Sequence, residues 1–467
     1  MSPLTAAMLP RMLTAAAVGL PAGSFPQASP ARFPPFTWPD NCTAGDDPAR
    51  DKCSQLPRSK AFSQVEFTGR YATYGAADTW YPTWAADGNL YTPWTDGTVN
   101  GVGAGSSCAQ PGCMSTTGFA TVIGEDPLDL TVTQVGAHAS SPGPYHGRYP
   151  CGSFVKDGIW FYGTYFLDNE NHEPGNSHEH LRGARVSRAG YCQNWCIQAP
   201  FAGFRWTNLS TPVAPRPPGV ERAWTEPRVV PKGWGDNIFG EQAPDNHTYK
   251  VKFGAPHVVD HGRELEYSPD GKVYIVGHGA SSAYSPTGWM QGSEVYMARS
   301  EPTISAVQDG AQWEFFAGTD PLSGQANWVS GDVSKAKPLL SWGNRTGVTT
   351  MTYIAAAKRY IMCVSTPTFS PFLEKQFDTY FLESKTLTGP FFLITYMREF
   401  GPEAYFVNIP SKFVAPELDK GGSLTLYLSY SANFAFKKGS QPPGSGYHWT
   451  LTEMKFHGAE PEMTIHV

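Results

Sequence analysis

One phrase recurs along this 467-residue chain and constrains its fold more than any other feature: a β-prone run, a Gly turn, then a second β-prone run. It reads Asp87-Gly-Asn-Leu-Tyr-Thr-Pro-Trp94, Asp157-Gly-Ile-Trp-Phe-Tyr-Gly-Thr-Tyr165 and Asp270-Gly-Lys-Val-Tyr-Ile-Val-Gly277, with looser versions at 357–364 and 421–430. Asp-Gly between β-prone runs is a strong hairpin signal, because a tight turn needs positive φ and Gly adopts it without steric cost. A third strand ending on Gly or Pro often follows, as in 294–300 and 378–390. Five units are expected, at 65–142, 143–245, 246–335, 336–400 and 401–467. Antiparallel sheets recurring every ~50 residues or more read as blades. The predicted class is all-β, a five-bladed β-propeller of antiparallel sheets. A decorated β-sandwich is the alternative, but it does not account for a phrase used five times.

Composition narrows the partners. The 48 Gly and 41 Pro, nearly a fifth of the chain, suit a turn-rich β protein, and the 14 Trp, 22 Tyr and 27 Phe supply apolar surface that a disordered chain lacks. A net charge of −6 without any Lys/Arg block argues against a nucleic-acid or anionic-membrane surface. Residues 1–28 read as a secretory signal peptide: Arg11 precedes the apolar run Met12–Leu20, and small residues follow. That run is too short to span a bilayer. A disordered Ala/Pro-rich leader is the alternative. Residues 29–64 are Pro-rich and aperiodic, an extended arm pinned by a disulfide, and 65–467 form a single propeller domain.

The four Asn-x-Ser/Thr sequons at Asn41, Asn208, Asn246 and Asn344 agree with a secreted, extracellular glycoprotein. Among eight cysteines, Cys42/Cys53, Cys108/Cys113 and Cys192/Cys196 cluster at short range and suit disulfides that staple loops; none has zinc-site spacing. Cys151 and Cys363 are left over, and the apolar run around Cys363 predicts a buried free thiol.

The stretch Asp78-Thr-Trp-Tyr-Pro-Thr-Trp-Ala-Ala-Asp-Gly-Asn-Leu-Tyr91 resembles the first blade of the five-bladed glycoside hydrolases, the arabinanase, β-xylosidase and fructosidase superfamily. Leu382-Glu-Ser-Lys-Thr-Leu-Thr-Gly-Pro390 is similar to the blade-closing phrase of that group, and Ala255–Asp260 followed by Ser268–Tyr274 repeats the layout in a middle blade. A Glu-Gly-Pro acid motif is missing, so the resemblance does not fix the acid. It implies hydrolysis of a polysaccharide or oligosaccharide by carboxylates that meet where the innermost strands converge.

Glycosidic hydrolysis needs one carboxyl to protonate the leaving oxygen and a second to activate water or attack the anomeric carbon. Asp78, before Thr79-Trp80-Tyr81, is the candidate base or nucleophile; its structural alternative is a turn cap. Asp260, between His257 and His261, is a candidate tuning group; in a regular strand alternation keeps all three from converging on a metal, and a bulge at Gly262 or in the turn is the alternative. Glu241, after a Gly-punctuated loop, is the candidate acid, with Asp168 in reserve. Glu294 and Glu383 read as solvated edge charges, and Asp87, Asp157 and Asp270 as hairpin residues. Trp80 and Trp84, with Tyr81 and Trp94, could stack on sugar faces, the alternative being packing between blades. Arg205 could bind a uronate carboxylate, and His257 and Tyr353 complete the candidate substrate contacts. The run 171–180, rich in His and Glu, reads as an exposed loop. No cofactor is called for, though the propeller channel could hold a structural Ca2+. A monomer is expected. Two other functions fit the pattern: a polysaccharide lyase using His257 or His278 with a Tyr, and a lectin-like propeller without catalysis.

Overall fold

The computed structural model describes residues 30–42, 53, 55–106, 114–134, 139–142, 148–166, 201–209, 238–241, 251–279, 292–367, 377–401, 404–432 and 441–458. Among these residues the chain is nearly all β, with a single α-helical turn at Ile304–Val307. None of the described helices is long and apolar enough to cross a membrane.

Five antiparallel sheets follow one another along the chain, arranged like a propeller. In the first, Ala76–Asp78 and Thr83–Trp84 pair with Leu90–Val99, which pairs with Met114–Ile123, itself flanked by Thr131–Gln134 and Ala139–Pro142. The second holds Arg148–Lys156, Ile159–Phe166 and Phe201–Asn208. The third runs Gly254–Val258, Val273–Gly279, Gly292–Ser300, Glu314–Thr319 and Ala326–Ser330. Leu340–Thr346 turns back onto Gly292–Ser300, so this blade extends past the boundary expected at 335. The fourth is Val348–Ile354, Arg359–Pro367, Phe377–Ser384 and Phe392–Met397. The fifth is Ala404–Asn408, Leu424–Ala432 and Trp449–Gly458, and Phe62–Tyr74 completes it. Four sheets have at least four strands, and the second shows three among the described residues. Pairing an N-terminal with a C-terminal strand ties the first and last blades together and removes the open edge each would otherwise leave.

Each hairpin phrase sits where its chemistry demands, after the first strand of its blade. Asp157 and Gly158 both adopt positive φ, 50° and 71°, and connect Lys156 to Ile159 in two residues. That matches the right-handed twist of the strands on either side.

The first strands of the blades lie side by side and run the same way. Ser153 Oγ donates to the Tyr81 carbonyl at 2.7 Å and Val155 N to Thr83 Oγ1 at 3.2 Å. Thr350 and Thr352 donate to the Val407 and Ile409 carbonyls at 2.7 and 2.8 Å, and Asp260 forms a parallel bridge with Thr352. These strands enclose a cavity of about 40 Å³, touched by Tyr81, Ser153, His257, Thr350 and Asn408, one residue from each blade. It has room for a few waters at most, not for a sugar.

Aromatic side chains fill the seams between blades. The Trp80 ring stacks on Trp449, and Phe119 meets Trp160 and Tyr162 edge-on between the first and second blades. The N-terminal arm covers the outside of the last blades. Ala31–Arg32 and Phe36–Thr37 pair with Phe62–Tyr74, Trp38 packs on Phe67 and Phe400, and a Cys42–Cys53 disulfide closes the turn beyond. Cys363 is a buried free thiol, as its apolar run predicts, and so is Cys151. Glu383 differs from expectation. It is buried, receives Arg359 Nη1 at 2.7 Å and Ser59 Oγ at 2.9 Å, and so anchors the arm; covering by the arm converts an edge position into an interior one.

Candidate active site

The shared direction of the inner strands gives the channel a leading end, where they begin, and a trailing end, where they finish. Connections at the trailing end are short: Lys156 to Ile159, Ile354 to Arg359. At the leading end the described chain leaves the strands through residues 100–106 of the first blade and 441–448 of the fifth. Loops mounted on a rigid scaffold are where binding and catalytic groups concentrate.

Asp78 stands at the leading end. Its strand pairs with Leu90–Val99 so that Asp78 faces Thr95, and a register shift between Ala76 and Asp78 turns its carboxylate inward. The side chain is 3% exposed. Thr79 donates to Oδ1, and the Tyr447 phenol, on the loop before the last strand, donates to Oδ2 at 2.9 Å. The same phenol reaches the Asp96 carbonyl, and Ser106 N binds Asp96 Oδ1 at 2.7 Å. Thr79 and Asp96 both sit at positive φ, 62° and 50°. For a β-branched residue this conformation is strained, on the order of 1–3 kcal/mol, and such strain gathers at functional sites. The phenols of Tyr165 and Tyr81 are pushed well up, chiefly by burial and further by the negative charge of Asp78. Tyr149 stacks on Tyr165 at 5.7 Å.

Glu241 also belongs to the leading end. Its carboxylate accepts from the backbone N–H of Lys252 and Phe253, at 2.6 and 3.3 Å, just before the third blade's first strand. Burial pushes it up to about 7 against those two donors. It therefore holds a proton near neutrality, the state a general acid needs.

Asp260 lies elsewhere. Counted through the neighbouring strands it is about five residues of extended chain from the level of Asp78, on the order of 15 Å, towards the trailing end. Oδ1 accepts from Gly262 N and Ser411 Oγ at 2.9 and 2.7 Å, and Oδ2 from Ser411 N at 2.8 Å. Burial raises it and the Ser411 and Gly262 donors pull it back. It ties the third blade to the fifth, and the position level with Asp78 in the third blade falls near Ala255 and Pro256 instead. The trailing end also takes Trp84, over which Arg263 sits at 5.6 Å, and Tyr353, packed on Tyr267 and Tyr360.

His257 points into the channel, edge-on to Tyr81 at 4.2 Å, and burial holds it down at about 3. His261 turns away between Tyr274 and Tyr360. No group of three metal-ligating side chains occurs among the described residues. Trp80 is 2% exposed, with Trp94 and Trp449 stacked on it, so its ring is an interblade packing element and offers no face to a sugar. Arg205 is buried and donates to the Tyr162 phenol at 3.3 Å, inside the second blade. Asp168 and the run 171–180 lie outside the described residues.

Sequence reasoning missed Asp96, Tyr165 and Tyr447. Asp96-Gly97 interrupts a β-prone run and carried a readable signal of a bend. Tyr447 carried none, because only closure of the propeller brings residue 447 to residue 78.

No family model matches the sequence, and no curated protein matches it. Solved structures do show likeness. The chain is similar to Zg3597, a family 117 glycoside hydrolase produced by Zobellia galactanivorans, with 12% identity over 85% of this chain and 91% of that one and a TM-score of 0.40. It is similar to the alpha-L-arabinofuranosidase PaAbf62A from Podospora anserina, with 8% identity over 83% and 92% and a TM-score of 0.36. It is also similar to an exo-1,5-alpha-L-arabinanase from a bovine ruminal metagenomic library, with 10% identity over 82% and 92% and a TM-score of 0.34. At these identities and TM-scores no residue role or activity transfers to this chain.

Proposed function

We propose that the chain is a glycoside hydrolase that cleaves a polysaccharide or oligosaccharide at the leading end of the propeller channel. The observation that carries this reading is Asp78: a buried carboxylate at the leading end of the channel, fixed at both oxygens by hydroxyl donors. Asp78 acts as base or nucleophile. Glu241, which burial keeps protonated up to about pH 7, acts as the acid. Asp260 supports the fold and takes no part in bond cleavage. The enzyme works as a secreted monomer.

The assignment is tested with aryl glycosides. A Glu241→Gln variant should lose most activity on a substrate whose poor leaving group must be protonated, by roughly 10²–10⁴-fold. It should keep activity on a substrate whose leaving group departs unaided. Equal loss on both would remove Glu241 from the acid role. The lyase reading fares worse, because His257 faces a cavity too small for a uronate.

A further inference from the structure

Tyr447 is placed between two acceptors with only one proton to give. Its phenol oxygen lies 2.9 Å from Asp78 Oδ2 and is also bonded to the Asp96 main-chain carbonyl. A carbonyl can only accept, and a phenol carries a single O–H. When Asp78 is ionised, the phenol proton must serve the carboxylate and the carbonyl together. When Asp78 is protonated, its own proton goes to the phenol oxygen, and the phenol turns its proton to the Asp96 carbonyl. Two full hydrogen bonds then form in sequence, Asp78 to Tyr447 to Asp96.

We propose that Tyr447 is the positioning residue of Asp78: it holds the carboxyl in one place through both protonation states and sets the pH at which Asp78 gives up its proton. This deepens the glycosidase reading and rests on it for its kinetic consequence. The phenol stays protonated throughout the working range, because burial, then Asp78 and Asp96, push it far above the ordinary tyrosine value. The other groups facing the pair are Thr79, Tyr81, Tyr149, Tyr165, Cys151 and the Asp96 carboxylate. Burial keeps the Tyr81 and Tyr165 phenols and the Cys151 thiol neutral as well.

The direction of the effect follows from bond strengths. A hydrogen bond to a charged acceptor is worth more than one between neutral groups. Removing the phenol O–H therefore costs the Asp78 carboxylate more than the carboxylic acid, and its pKa rises. In Tyr447→Phe, the acid limb of kcat/KM against pH should move up by about one unit. The plateau should change far less than in Asp78→Asn. An unmoved acid limb would make Tyr447 a packing residue and overturn the proposal. A readout independent of activity is the infrared titration of the Asp78 carboxyl, isolated by subtracting Asp78→Asn. It should show the same upward shift in Tyr447→Phe even if no glycoside is cleaved, which separates failure of this proposal from failure of the glycosidase reading. A shift downward, or none, would overturn it by that route too.

Discussion

The indole rings of Trp80 and Trp449 stack at 5.1 Å with an interplanar angle of 14°, and through them the first blade rests on the last. Trp80 Nε1 donates to the Ala77 carbonyl at 2.9 Å and Trp449 Nε1 to Ser429 Oγ at 2.8 Å, so both polar tips are satisfied in the seam. The same closure carries Tyr447 to Asp78.

Truncating this seam should therefore cost stability first. Trp449→Ala removes a fully buried ring and should destabilise by about 3–5 kcal/mol in urea unfolding. Trp80→Phe should lower Tm while leaving KM for glycan unchanged. A raised KM with an unaltered Tm would return Trp80 to a sugar platform.

Lys412 is a second tie across the seam. Its ammonium, almost wholly buried, donates to the Gly88 and Gly124 carbonyls at 2.6 and 2.7 Å. Lys412→Met leaves both carbonyls without this donor and should cost about 2–3 kcal/mol. A change below ~0.5 kcal/mol in thermal or urea unfolding would mean the carbonyls find other partners.

Glu241 links stability to pH between about 4.5 and 7. Its folded value, about 7, lies above the ordinary 4.5, so the native state retains a proton the unfolded chain releases. The contribution is fully present below pH 4.5 and is lost as pH rises through about 7. The wild type should lose on the order of 3 kcal/mol from this group between those limits. Glu241→Gln should flatten that part of the profile, and parallel profiles for the two proteins would exclude the linkage.

His261 works in the opposite direction. Burial holds it at about 3 against an ordinary 6.5. Stability from its neutral form is present above pH 6.5 and declines as pH falls towards 3. His261→Phe should shift the acid-unfolding midpoint, followed by circular dichroism, to lower pH. A midpoint unchanged or raised would contradict this account.

The repeat of hairpin phrases made the fold legible, because Asp157-Gly158 and its counterparts encode local backbone geometry. Leu340–Thr346 was not legible, since a return to Gly292–Ser300 depends on tertiary pairing. The site divides along the same line. Asp78 stands out in sequence by its place before Thr79-Trp80-Tyr81, and the structure adds its burial and its two hydroxyl donors. Asp260 misled because its phrase repeats the layout around Asp78, whereas the chain carries it to the trailing end and binds its carboxylate to Ser411. Trp80 misled because proximity to a carboxylate does not reveal which ring covers it. Tyr447 could be found only once the ends of the chain were joined.

The most direct test of the central claim is to incubate wild type and Asp78→Asn, matched for fold by circular dichroism, with a panel of plant, fungal and bacterial polysaccharides. Reducing-sugar release is read beside the ultraviolet absorbance of unsaturated products. The account predicts reducing ends without absorbance, falling by roughly 10²–10⁴-fold in Asp78→Asn. Hydrolysis that survives the substitution, an unsaturated product, or glycan binding without turnover across the panel would contradict it.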